Sequence, residues 1–203
     1  GLAVIYLYNF KVLPLEKSPI QIVYLQHLLA FLNMGLAAFV MVAVAARFAY
    51  PAVSIEKEAF WLVRTAPLDL GTVLWAKFWV YCLPLLLLAE VLIVATNLLL
   101  NVRPLMMGLA VVTILGVTPG IVAMGIGLGA AYPRFKAENP AQAVSSFGGL
   151  MFMLVCAAYI TLVIVVEAGP VYRIFMAGMS ARPLTALEWG WSVASAALVL
   201  LLN

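Results

Sequence analysis

The chain has 203 residues, 67% hydrophobic and only 9% charged, with a formal net charge of +3. A soluble domain carries roughly 25% charged residues, so too few polar groups are available to cover a water-facing surface, and an integral membrane protein is expected. The small basic excess bears on membrane topology rather than on nucleic-acid binding.

Residues 1–13 read as the end of an earlier span or as an interfacial segment. No n-region or cleavage site marks a signal peptide. Because the chain opens on Gly1 and stops inside the apolar run ALVLLLN, it is expected to be part of a longer polypeptide. A spanning helix needs about 20 mostly apolar residues, and the first such run covers about 20–46, closed by Arg47 and Pro51. It contains Gln26, His27 and Asn33, read as interhelical hydrogen bonding or as polar lining of a path. His27 is the single histidine, and no cysteine or carboxylate cluster accompanies it, so no metal site is expected.

The next segment, SIEKEAFWLVRTAPL, is residues 54–68. Placed on a helix over about 54–66, Ile55, Ala59, Leu62, Val63 and Ala66 share one arc, while Lys57, Glu58, Arg64 and Thr65 share the opposite one. Ser54 suits the N-cap, Glu56 and Glu58 sit early and Arg64 late, as the helix dipole prefers, and Pro67 ends the element. Such a helix is too short and too charged to span, so it is expected to lie along the membrane surface. Two readings stand: a simple connector, or a docking helix that presents Lys57, Arg64 and Trp61 to a partner.

The second span covers about 74–100 and contains Cys82, Glu90 and Asn97. Glu90 falls about 20 Å along the helix from Lys77, near the membrane middle. A carboxylate there usually faces a bundle interior or a pathway, so it is either a substrate or proton site or a group fastening helices together. The third span covers about 105–131, after a turn at Asn101, Arg103 and Pro104. Gly116 and Gly120, and Gly125 and Gly129, each form a GxxxG pair that allows close helix approach. Pro119 should kink or break the helix, which makes Pro119 and Gly120 a candidate hinge. The loop YPRFKAENP follows, with Arg134, Lys136 and Glu138 as its charges and Asn139–Pro140 as a helix start. A fourth span covers about 141–166 and holds Cys156; Cys82 and Cys156 are read as buried thiols. A polar stretch runs from Glu167 to Arg182, and a fifth apolar run, 187–203, is cut off by the chain end.

Alternating spans place loops 47–77 and 132–143 on one side, with Arg47, Lys57, Arg64, Lys77, Arg134 and Lys136. The other side holds Lys11, Lys17, Arg103, Arg173 and Arg182. Six basic residues against five favour a cytoplasmic location for the charged segment. The expected class is therefore an all-α, polytopic helical bundle with a short amphipathic cytoplasmic helix.

The run YPAVSIEKEAFWLVRTAPLDLGTVLWAKF resembles the cytoplasmic segment of ABC exporter permeases of the ABC-2 type. Members often show Ser-x-Glu-Gly-x-x-x-Trp, then a basic residue, a small residue, Pro and a later Lys. The matching positions here are Ser54, Glu56, Trp61, Arg64, Pro67 and Lys77; Lys57 stands where Gly is common. GLGAAYPRFKAENPAQAVSSFGGL, residues 127–150, resembles the loop and helix start of bacterial ABC exporter permeases. The resemblance spans most of 47–165. It implies a coupling helix with Glu56, Lys57, Trp61 and Arg64 on its ATPase-facing side, a second contact at Arg134 and Lys136, a partner ABC ATPase carrying the ATP and Mg, a second permease copy or half, and a multi-pass position in a bacterial cytoplasmic membrane. No GxxxxGK[ST] loop occurs in this chain, so ATP hydrolysis and its cofactors are expected on the partner, and no enzyme activity is expected here. Asn97, like Asn33, is read as interhelical hydrogen bonding or as polar lining of a translocation path. The competing readings are a secondary transporter coupled to protons through Glu90 and a non-transporting membrane scaffold. An integral-membrane enzyme is the weakest alternative, because no carboxylate pair, Ser/His set or metal cluster sits at a membrane face.

Overall fold

The computed structural model describes residues 19–59, 65, 69–102, 104–134, 140–179 and 185–201. Among them are six α-helices and no strand: α1 Pro19–Phe48, α2 Leu70–Leu99, α3 Pro104–Ala131, α4 Pro140–Val144, α5 Phe147–Met179 and α6 Ala186–Leu201. Two 3₁₀ segments, Tyr50–Ala52 and Ser54–Ala59, follow α1. Four stretches are long and apolar enough to cross a membrane: Leu28–Ala52, Leu70–Leu99, Pro104–Ala131 and Phe147–Arg173. Helix is the form such sequences take in lipid, because every backbone N–H and C=O must be satisfied within the segment.

α3 is the central helix and packs against α1, α2, α5 and α6. Its apolar window is 67% buried, against 28% for those of α2 and α5, which therefore turn most of their surface to the surroundings. The buried stripe of α5 runs Phe152, Cys156, Ile160, Val163, Glu167 and Val171, at helical spacing. Its opposite face shows Leu150, Leu154, Leu162 and Val165. Both faces are apolar, since lipid tails are as apolar as a protein core.

Three prolines lie inside helices: Pro84 in α2, Pro119 in α3 and Pro170 in α5. Pro119 does not break α3, which is continuous from Pro104 to Ala131. Prolines are tolerated in such helices because neighbouring helices, hydroxyl side chains and small local adjustments re-satisfy the freed backbone groups. α5 likewise runs past Val166, where the sequence suggests a span end, and carries Glu167 into the helix interior. At its start the chain bends at Ser145–Ser146, and Ser146 Oγ accepts the Gly149 N–H at 3.3 Å, an N-cap for α5.

α2 ends in a Schellman turn. The Val102 N–H reaches Asn97 O at 3.2 Å and the Asn101 N–H reaches Leu98 O at 3.1 Å. Asn101 takes φ 49° there, a left-handed conformation that asparagine tolerates better than most side chains.

Aromatic residues mark two levels. Near the start of α2, Trp75 stacks on Phe78 (5.2 Å) and meets Trp79 edge-on (5.8 Å), with both tryptophans exposed beside Lys77. Near the other end, the Arg173 guanidinium lies over the Trp191 ring at 5.0 Å. Tryptophan with basic residues is the usual composition of a membrane–water boundary.

Candidate functional site

The two segments that alternation assigns to one side do meet. α1 delivers the chain to the Tyr50–Ala52 turn, which packs against α1, α3 and α4. Tyr50 is 1% exposed. Its ring stacks on Phe152 of α5, centroids 5.7 Å apart, and its hydroxyl lies 3.4 Å from Ser146 Oγ. Ser146 directs its own proton to Ala143 O at 2.6 Å, so toward Tyr50 it acts as acceptor and the phenol donates.

Glycines make this approach possible. A Cβ at Gly129 would overlap the Tyr50 carbonyl, and one at Gly148 would overlap the Tyr50 hydroxyl and Tyr132. A Cβ at Gly125 would sit 3.4 Å from the Ala49 Cβ and from Phe152. The Gly125/Gly129 pair therefore receives the turn that follows α1, in keeping with the close approach that small residues permit.

The charged segment is tied down by polar contacts. Ser54 is buried, and its Oγ accepts the Arg134 N–H at 3.1 Å, so its hydroxyl bridges to the α3–α4 connection. Glu56 Oε1 pairs with Lys77 Nζ at 2.7 Å, and the same ammonium donates to Ala52 O at 2.9 Å. The pair is largely shielded, with the two side chains 17% and 24% exposed, and Glu56 Oε2 is buried without a hydrogen-bond partner among the described residues. Lys77 thus fastens the 3₁₀ segments to the first turns of α2. Lys77→Met is expected to lower stability by roughly 1–2 kcal/mol and to speed hydrogen exchange over Ala52–Ala59. Unchanged exchange in that stretch would remove this fastening role.

Of the residues singled out for ATPase contact, Glu56 is placed in this joint and Arg134 at its exposed edge. Lys57 lies in the 3₁₀ segment, but its side chain lies outside the described ones, as do Trp61, Arg64 and Lys136 altogether. The 54–66 element is 3₁₀ over Ser54–Ala59, and Thr65 is again helical.

The intramembrane polar groups fall elsewhere. Asn33 is fully buried and donates from Nδ2 to Thr96 Oγ1 at 2.7 Å, joining α1 to α2. Thr96 passes its own proton to the carbonyl of Leu92 (2.8 Å) or Ile93 (3.0 Å). Asn97 is equally buried, yet its side-chain oxygen and nitrogen have no partner among the described residues, and the same is true of Thr118 Oγ1 and Glu90 Oε1. Gln26 and His27 have side chains outside the described ones. No group of three or more His, Cys, Asp or Glu able to hold a metal occurs among the described residues. Cys82 and Cys156 are both free and buried.

Sequence reading missed Tyr50, Ser146, Thr113 and Glu167. Glu167 is 0% exposed, and one of its carboxyl oxygens is hydrogen-bonded to Thr113 of α3. The available signal was its register on the α5 stripe, four residues after Val163 and four before Val171.

A family model described as "Putative ATP-binding cassette" matches residues 1–202. No curated protein and no solved structure matches the chain.

Proposed function

The chain belongs to the ATP-binding cassette family whose model it matches over nearly its whole length, and from that premise we propose that it is the membrane-spanning permease of an ATP-driven exporter. The family description names a nucleotide-binding unit. A phosphate loop requires GxxxxGK[ST] between a strand and a helix; this sequence lacks the motif, and its described residues contain no strand. Four apolar helices of spanning length fit the membrane part of such a transporter instead. The partners are then an ABC ATPase, which binds ATP and Mg, a second permease copy or half, and the bilayer of a bacterial cytoplasmic membrane.

One observation carries this reading. The stretch after α1, the Tyr50–Ala52 turn with the charged segment that follows it, is joined to three spans: the charged segment to α2 through Glu56 and Lys77, and the turn to α3 through the Tyr50–Gly129 contact and to α5 through Tyr50, Phe152 and Ser146. A force applied to the segment from outside the membrane would reach all three helices, because packed interfaces transmit strain. Glu56 and Ser54 then serve as fastenings, while Lys57, Trp61, Arg64, Arg134 and Lys136 are the residues we assign to the docking face. Arg64→Glu is expected to weaken the complex with the ABC ATPase that co-purifies with the native chain by tenfold or more, on the order of the 2 kcal/mol or more that a lost interfacial charge pair costs, with the fold intact by circular dichroism. Retention of the ATPase by the charge-reversed protein at native stoichiometry would sink the docking role.

A second reading has one observation in its favour. Glu90 presents a buried carboxyl oxygen without a partner among the described residues, roughly two-thirds of the way along α2, which suits a proton-coupled secondary transporter. That reading requires transport driven by a pH gradient with no ATPase present and abolished by Glu90→Gln.

A further inference from the structure

We infer that Glu167 is held as the neutral carboxylic acid and donates its proton to Thr113, which makes this pair a proton-binding site between α3 and α5 inside the membrane. The inference is independent of the exporter reading. Thr113 Oγ1 lies against two oxygens, Leu109 O one turn back at 2.9 Å and a carboxyl oxygen of Glu167. A threonine hydroxyl carries one proton and can serve only one of them as donor. Both contacts are hydrogen bonds only if Thr113 gives its proton to the Leu109 carbonyl and Glu167 supplies the hydrogen of the other.

The surroundings select the same state. Glu167 is fully buried, and its second oxygen has no hydrogen-bond partner among the described residues. An ionised carboxylate with a single donor in such a place is far costlier than a neutral acid, and the group neutralises instead. Next to Thr113 lies a cavity of about 10 Å³, walled by Met34, Ile114, Val117, Ile160 and Val163; that is at the lower limit for a single water and offers it no further polar side chain.

No cation on the described packing partners stands against Glu167. α3 contains no acidic or basic residue at all. On α1, Arg47 is exposed in the last turn, at the end facing the charged segment. On α5 itself, Arg173 is exposed and engaged with Trp191. α4 contributes no charge, and α6 contributes only Glu188, whose side chain, like that of His27 on α1, lies outside the described ones. Loss of the proton would leave an anion among apolar side chains, with the Thr113 hydroxyl as its one donor among the described residues and the bond to Leu109 O given up, so this helix contact is tied to protonation.

Infrared spectroscopy of the full chain in lipid nanodiscs tests the assignment. The native protein at neutral pH should show the carbonyl stretch of a protonated carboxylic acid. Glu167→Gln should remove that band, Glu90→Gln should leave it, and Thr113→Val should keep it but shift it to higher frequency as the hydrogen bond is lost. Three results would overturn the assignment: a carboxylate band, and not an acid band, lost in Glu167→Gln; an acid band in Thr113→Val at the native frequency; or an acid band that emerges only in His27→Gln, which would make His27 the counter-ion of an ionised Glu167. Should Glu167→Gln fail to fold, the Thr113→Val shift decides alone, because that variant keeps the carboxyl.

Discussion

Replacing Tyr50 by Ala is expected to lower stability by about 3–5 kcal/mol, the range for deleting a large aromatic side chain from a packed core, seen as a large fall in the thermal midpoint in lipid nanodiscs. Tyr50 is 1% exposed and fills the space between α1, α3 and α5 at one end of the bundle. Its ring stack on Phe152 is worth roughly 0.5–1.5 kcal/mol beyond the area it buries. Little of the loss should come from the hydroxyl. The 3.4 Å separation from Ser146 Oγ makes a long hydrogen bond, so Tyr50→Phe is expected to cost about 1 kcal/mol or less. A Tyr50→Phe loss as large as that of Tyr50→Ala would shift the weight of the joint from ring packing to the Tyr50–Ser146 bond.

Adding a single methyl group at Gly129 is expected to cost about as much as an overpacked core position, roughly 1–3 kcal/mol or more. A Cβ there would overlap the backbone carbonyl of Tyr50, and backbone cannot rotate away as a flexible side chain can. Either the turn after α1 lifts off α3 or α3 itself shifts. Gly127→Ala is the internal control: nothing lies within 4 Å of its Cβ position, and the residue is on the exposed face. Alanine there should be neutral or slightly stabilising through its better helix propensity. Equal losses at Gly127 and Gly129 would reduce the effect to a general cost of altering α3. The Gly129→Ala and Tyr50→Ala losses should not add, because both act on one contact; in the double variant the turn, no longer anchored by the tyrosine ring, is free to move.

The charged segment shows how far reading residues alone can reach. Its position between two apolar runs, its charges and its Pro67 are all local features, and the expectation of a surface helix rests on them. The partners of those charges are not local. Glu56 meets Lys77 21 positions on, and Ser54 meets Arg134 80 positions on. Ser54 suits an N-cap equally well by residue type, and only the packing of the α3–α4 connection against it shows that its hydroxyl is already engaged. Asn33 and Asn97 look alike in sequence, each a polar residue inside an apolar span; one bonds to Thr96 and the other has no side-chain partner among the described residues.

Composition and run length by themselves determined the helical, membrane-spanning class. A chain this apolar has no polar surface for water, and lipid leaves the backbone little choice but helix. The tertiary structure alone decided which faces meet: α3 at the centre, Tyr50 on the Gly125/Gly129 face, Glu167 against Thr113. In a soluble helix the polar face would have shown which side turns inward. Here core and lipid are equally apolar, so the buried stripe of α5 and its lipid-facing side carry the same kinds of residue, and Glu167, directly after the apolar run, resembles the start of a loop until the helix is seen to continue through it.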